Sequence, residues 1–207
     1  MLNNFYQHFK LLLVWGFIIG LIFGGASLFF PKQYSAKTSV LIISRDRTGI
    51  DPYTQAKSAE RIGENLSRLM KTTDFYNKVI SASSTYAAKL DKSVWAQLSE
   101  KELRTKWEKD VIGSMVSGGS LLEITVYADT TEQAYYFSNV VTETLIDRGW
   151  EYVGGDVAFK QVDSPLVSTL PARPNLIVNT AIGFWVGIVL SGLWISRYKK
   201  HATFKSR

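Results

Sequence analysis

The chain has 207 residues, with 24 Lys and Arg against 18 Asp and Glu, two His and no Cys. Without cysteine there is no disulfide framework and no thiol nucleophile. Both histidines, His8 and His201, lie near the chain ends, which excludes a His-dependent triad or a zinc cluster between them.

Residues 1–10 form a short N-terminal segment whose only charged residue is Lys10. Residues 11–30 follow as one uncharged apolar run, and residues 176–196 form a second. An α-helix rises about 1.5 Å per residue, so about 20 residues cross the roughly 30 Å hydrocarbon layer of a bilayer. Both runs pass that test and are expected to be transmembrane helices. The first run exceeds the h-region of a signal peptide, and Leu28, Phe29 and Phe30 continue it past the small residues Gly24 to Ser27 where a peptidase would cut. It is therefore expected to be retained.

Residues 31–175 form one domain between these anchors. Tyr34 to Ser44 alternates, with Ala36, Thr38, Val40 and Ile42 on one face and Ser35, Lys37 and Ser39 on the other, as a half-buried strand requires. Arg45 to Thr54 reads as a polar loop with Gly49 and Pro52. A helix follows, with Ile62, Leu66, Leu69 and Met70 on one face, then a short helix capped by Thr72 or Thr73 and running through Phe75, Val79 and Ile80. Ser99 and Glu102 have capping-box spacing ahead of a helix through Leu103 and Trp107 to about Lys109. Val111 to Val116 and Leu121 to Tyr127 flank the turn Ser117-Gly118-Gly119-Ser120, a hairpin signal. Asp129 and Glu132 open a long helix with the apolar stripe Ala134, Phe137, Val141 and Leu145, and Gly149 reads as its terminator. A strand from Val157 to Asp163 follows the Gly154-Gly155 break. Trp95, Trp107 and Trp150 read as packing residues.

The fold class expected is a membrane-anchored α+β protein, with two transmembrane helices flanking an extracytoplasmic domain built of a small mixed sheet and packed helices.

The residues 165–174 are punctuated by Pro165, Pro171 and Pro174 and show no helix or strand pattern, so an extended, stiff junction is expected before the second span. Within that span Gly183 and Gly187 form a Gly-x-x-x-Gly pair, which permits close helix contact in lipid and self-association. Arg197, Lys199, Lys200, Lys205 and Arg207 then make residues 197–207 a basic tail. With Lys10 these cations account for the whole net charge of +6. Basic residues beside spans are retained in the cytoplasm, so both ends are expected there and the domain outside. Contact with anionic lipid, not nucleic acid, is the expected use of that charge.

Signals for chemistry are few. The acids and bases between Glu100 and Lys109 read as a solvated helix surface. The turn at Ser117 lacks the lysine of a phosphate-binding loop and enters a strand rather than a helix. No Gly-x-Ser-x-Gly elbow is present. The chain is expected not to be an enzyme and to use neither a cofactor nor a metal.

Taken as an ordered set, these segments resemble the polysaccharide co-polymerases, or Wzz-type chain-length determinants. The segments that carry the resemblance are Pro31 to Ala36 with Val40 to Ile43, Leu69 to Phe75 with Val79-Ile80, Leu121 to Val126 with the helix after Asp129, Val162 to Pro165, and Pro171 to Pro174 leading into the glycines of the second span. The resemblance implies a bacterial inner-membrane protein that forms ring-like homo-oligomers. Such rings set the chain length of O-antigen, capsule or exopolysaccharide together with a separate membrane polymerase, in contact with the growing polysaccharide. Two departures stand out. The helical excursion between Thr54 and Lys109 is short, and a fused cytoplasmic tyrosine kinase is expected to be absent, since only ten residues follow Arg197. Compact relatives act instead as adaptors that activate a separate cytoplasmic tyrosine kinase through their tail. A membrane-tethered glycan-binding module is a third reading.

Overall fold

The structure is a computed structural model and describes residues 2–44, 51–154 and 157–204; the side chains of 2–8, 44, 52, 196 and 198–204 lie outside that description. It divides into two compact units, 1–32 with 171–207, and 33–170.

The first unit is a pair of long helices, α1 (Leu2–Ser27) and α8 (Leu176–Phe204). Stretches of 19 and 20 residues within them, Phe9–Ser27 and Leu176–Ile195, are long and apolar enough to cross a membrane. Phe17, Ile22, Trp185, Val189 and Leu193 are all about 60% exposed. A soluble protein would bury such faces, so their exposure is consistent with anchoring in a bilayer. α1 stops at Ser27, three residues short of the expected Phe30. The amides of Leu28, Phe29 and Phe30 reach back to the carbonyls of Gly25, Ala26 and Ser27, a tightened turn. The poor helix formers Gly24 and Gly25 and the oncoming Pro31 account for the early end.

The second unit is an antiparallel sheet with helices on one face. Its central strand β1 (Tyr34–Ser44) pairs with β3 (Leu121–Ala128) from Tyr34↔Ala128 to Leu41↔Leu121. β2 (Val111–Met115) joins β3 through a turn in which Gly118 takes φ +73°, a left-handed value that glycine adopts without strain. On the other side of β1 lies β4 (Val157–Gln161), in register from Val40↔Gln161 to Ser44↔Val157. The expectation of a mixed sheet is corrected: among the described residues every pairing is antiparallel. β3 and β4 run in the same direction, but β1 lies between them, so the helix that connects them crosses over β1 and no parallel neighbours arise.

A further strand, β5 (Leu166–Val167), pairs with Lys37 and Ala36 of β1 and continues the edge begun by β4. It falls inside the segment expected to lack strand structure. Two residues are too few to show alternation, and only the neighbouring length of β1 makes them a strand.

Among the described residues, four helices lie between β1 and β2: α2 (Pro52–Leu69), α3 (Thr73–Ile80), the single turn α4 (Ser93–Ala96) and α5 (Glu100–Asp110). α2 begins inside the expected loop, because Asp51 accepts from the Thr54 amide at 3.2 Å and Pro52 suits the first helical position. The rest of that loop, 45–50, lies outside the described residues. Thr72 caps α3 by accepting from Phe75 N at 3.3 Å, and Glu102 Oε2 accepts from both the amide and the hydroxyl of Ser99 at the start of α5.

α6 (Thr131–Arg148) crosses behind the sheet. Its cap is Thr130, not Asp129: Thr130 Oγ1 accepts from Gln133 N at 3.1 Å. Gly149 does not reverse the chain, since it stays right-handed at φ −61° and a further turn, α7 (Trp150–Val153), follows before Gly154 at φ +87°. A Cβ at Gly149 would meet the Leu145 carbonyl oxygen first and then the Phe159 ring of β4 at 2.8 Å, so close approach of α6 and β4 accounts for the glycine.

The core lies between sheet and helices. Ala36, Val40, Ile42, Leu122, Ile124 and Val126 face Leu66, Met70, Phe75, Trp107, Phe137, Val141 and Leu145, all nearly inaccessible. Each large side chain removed from water in this way contributes about 1.5–3 kcal/mol before entropy is counted. Trp95 and Trp107 pack here as expected. Trp150 does not: it is 52% exposed and donates its Nε1 to Asp147 O at 2.8 Å.

Candidate functional site

Gly183 and Gly187 sit on the face of α8 turned to α1 of the same chain. A Cβ on Gly187 would lie 2.8 Å from Gly16 Cα and 2.9 Å from Trp15 O. On Gly183 it would lie 2.6 Å from Phe23 Cβ and 3.0 Å from Gly20 Cα. A Cβ on Gly20 would in turn lie 3.0 Å from Thr180 O. The two helices are thus an antiparallel pair with Gly16, Gly20 and Gly24 of α1 running along Gly187, Gly183 and Thr180 of α8. The Gly-x-x-x-Gly pair makes a close helix contact, but its partner is within the chain. Self-association through the same face would have to displace α1.

The sequence reading missed the α1 half of this seam. Its signal was present, as Gly16, Gly20 and Gly24 recur every four residues in an apolar run. The seam ends in a polar clasp. Asn179 Nδ2 donates to Ser27 Oγ at 2.7 Å, and Ser27 Oγ donates to Phe23 O at 3.0 Å. Ser27 is 4% exposed, and in a lipid environment a hydrogen bond between helices has little competition from water. Asn175 caps α8 by accepting from Val178 N at 3.2 Å.

The three prolines fall in different settings. Pro165 is buried in the sheet unit, between the β4 and β5 pairings on β1. The chain on both sides of it is stitched to β1: Val162 N donates to Ser39 O, Thr38 Oγ1 to Asp163 O, and Ser168 N to Ser35 O, all at 2.8–2.9 Å. The first half of the expected free junction is thereby a bound sheet edge. Pro171 and Pro174 belong to the helix-pair unit and are half-buried, with the Arg173–Pro174 bond cis. Arg197 is exposed on α8. Lys199 and Lys200 continue that helix with side chains outside the description, and Lys205 and Arg207 lie outside the described residues altogether. Gly183, Gly187, Ser27 and Asn179 carry no group that titrates near neutrality, and their part in the helix pair is packing and hydrogen bonding.

Among the described residues, the most connected group of charges is in the sheet unit. Lys78 of α3 pairs with Asp74 at 2.9 Å and with Glu151 of α7 at 2.7 Å, and lies 4.2 Å from the centre of the Tyr152 ring. Tyr152 also donates to Asp74. The Glu151 carboxylate, then Asp74, holds the Lys78 ammonium above its ordinary 10.5. Glu151 is held below its ordinary 4.5, by Lys78 first and Arg148 second, and Asp74 below 3.8 by Tyr152 and then Lys78. Burial is the first cause of the raised Tyr152 phenol.

The depressed carboxylates stabilise the fold above their unfolded values and lose that effect as pH falls through the folded ones. The raised Lys78 keeps its charge up to and beyond 10.5. Its pairing with the two carboxylates is therefore complete between the two ranges, lost in acid as they protonate and lost in strong base as it deprotonates. A Lys78→Met variant should therefore melt below wild type by a constant margin from about pH 6 to about pH 9, a gap that closes below about pH 4. Thermal scans across that range measure it, and a gap that persists in acid would refute the assignment.

No family model matches the chain, and a search of the curated proteins finds no match either.

Proposed function

We propose that this chain regulates the length of a bacterial surface polysaccharide (O-antigen, capsule or exopolysaccharide), acting as an oligomeric scaffold for a membrane polymerase. The observation that carries this reading is one α+β domain strung between two long apolar helices that pack on each other along a glycine seam. The segments that carry the resemblance to the polysaccharide co-polymerases fall in the sheet and ahead of the second long helix. Val40 to Ile43 lie in β1, Leu121 to Val126 in β3, and Pro171 to Pro174 lead into α8.

In this reading both ends are in the cytoplasm, the helices span the inner membrane, and the domain works outside. Copies assemble through the domain's helices and through faces of the spans other than the seam, presenting several contacts to the polymerase. Pro165, Pro171, Pro174, Gly183 and Gly187 set the geometry at the membrane, and none of them is catalytic. The test is the length distribution of surface polysaccharide on a gel, in a strain lacking the gene and in a complemented one. Loss of a modal band with polymer still made is expected; an unchanged ladder would overturn the proposal.

One observation favours the second reading, an adaptor for a separate cytoplasmic tyrosine kinase. α8 continues from Ile195 to Phe204, more than two turns beyond the apolar stretch, and carries the basic residues Arg197, Lys199 and Lys200 on a helix. If that is its use, removal of residues 197–207 lowers both polymer amount and tyrosine phosphorylation and leaves no altered modal band.

A further inference from the structure

A polar cleft of about 420 Å³ opens in the sheet unit between α6 and the turn after α3. Its volume lies within the roughly 300–1,000 Å³ range of small-ligand sites. Lys78, Ser83, Glu143, Thr144, Asp147 and Arg148 are among its lining residues.

Two of these carry buried polar atoms with no partner. Thr144 is 5% exposed and its Oγ1 makes no hydrogen bond; Glu143 Oε2 is likewise inaccessible and unbonded. Buried polar atoms are nearly always paired, so an orphaned pair on one wall of a cleft marks where a partner belongs. Its chemistry follows from what each atom can do. A carboxylate oxygen only accepts, so the group facing Glu143 must donate. A threonine hydroxyl does both. The cleft does not favour an anion, because Lys78 and Arg148 already pair with Glu151 at 2.7 and 3.2 Å, and Glu143 and Asp147 add negative charge. An uncharged group that both donates and accepts suits each of the two atoms, and a sugar hydroxyl is such a group.

We propose that the cleft between α6 and the turn after α3 is a binding site for a neutral saccharide, with Thr144 and Glu143 accepting its hydroxyls. For the source of the sugar the proposal rests on the polysaccharide reading above; for the site it rests on the geometry alone.

The test uses the full chain in mild detergent and short oligosaccharides released by mild acid hydrolysis from the producing strain's own surface polysaccharide. Saturation-transfer NMR should show binding to wild type, about tenfold weaker binding to Thr144→Val, and weakened binding to Glu143→Gln. Valine has nearly the shape of threonine and replaces an unpartnered hydroxyl, so Thr144→Val should melt no lower than wild type, which separates lost binding from lost fold. Glu143→Gln supplies the same comparison if the first variant fails to fold.

Equal binding by wild type and both variants, or no binding by wild type, would mean that the cleft holds water only and would overturn the site. Variant-sensitive binding with an unchanged gel ladder in the gene-deleted strain would keep the site and sink the length-control reading. An altered ladder without binding would do the reverse.

Discussion

Replacing Gly187 by leucine should separate the two apolar helices. The atoms that a side chain would meet there are Gly16 Cα at 2.8 Å and Trp15 O at 2.9 Å, both backbone, so no rotamer change can make room. Overpacking in a core that can adjust costs about 1–3 kcal/mol, and here the helices themselves must move. The absence of cysteine gives a clean background for the measurement. Leu12 and Gly192 meet across the pair, with a Cβ on Gly192 3.8 Å from Leu12 Cδ2, so cysteines introduced at these two positions should be joined by a short bifunctional maleimide. Adding Gly187→Leu should slow that reaction at least about tenfold, which corresponds to 1.4 kcal/mol or more. Cross-linking at an unchanged rate would show that the seam is not what holds the pair together. The same variant should also blur the modal polysaccharide band if the hairpin positions the domain for its task.

The largest effect in the sheet unit is expected at Trp107. It is 1% exposed, donates Nε1 to Met70 O at 2.8 Å, and touches the rings of Tyr76, Trp95 and Phe137 with centroids 5.1–6.2 Å away. It therefore joins α2, α3, α4, α5 and α6 at one point. Trp107→Ala should cost about 3–5 kcal/mol, a large part of the 5–15 kcal/mol that usually separates folded from unfolded states. Trp107→Phe keeps most of the packing but strands a buried carbonyl, at about 1–3 kcal/mol. Urea unfolding followed by near-UV circular dichroism measures both. A loss below about 1 kcal/mol for the alanine variant would show that the aromatic cluster is not the centre of the core.

What could be read from the sequence was local. The alternation from Ala36 to Ile42, the Thr72 and Ser99 caps and the stripe Ala134, Phe137, Val141 and Leu145 each involve neighbours within one element, and each appears in the fold. What could not be read was which elements meet. The place of β1 between β3 and β4 is decided by distant pairings, so the mixed-sheet expectation had no local signal to correct it. β5 is a strand only because β1 is long enough to receive it. Thr130 prevails over Asp129 as cap through a choice of one residue that either could make chemically. The seam shows the same division. Gly183 and Gly187 marked a close contact, but nothing in residues 176–196 says whether the partner is another copy or a helix more than 150 positions away.

A cysteine-free domain obtains from that seam something usually supplied by a cystine. Residues 33–170 are a loop whose two ends run into the paired helices α1 and α8. While the pair holds, the unfolded domain is a closed ring rather than an open chain and has fewer conformations available to it. For a covalent link closing a loop of about 100 residues, that restriction raises the free energy of the unfolded state by about 4–5 kcal/mol. A noncovalent clasp approaches this value only as far as it outlasts the domain's unfolding. The glycines of the helix pair thus act on a domain they do not belong to, through the disorder that it is denied.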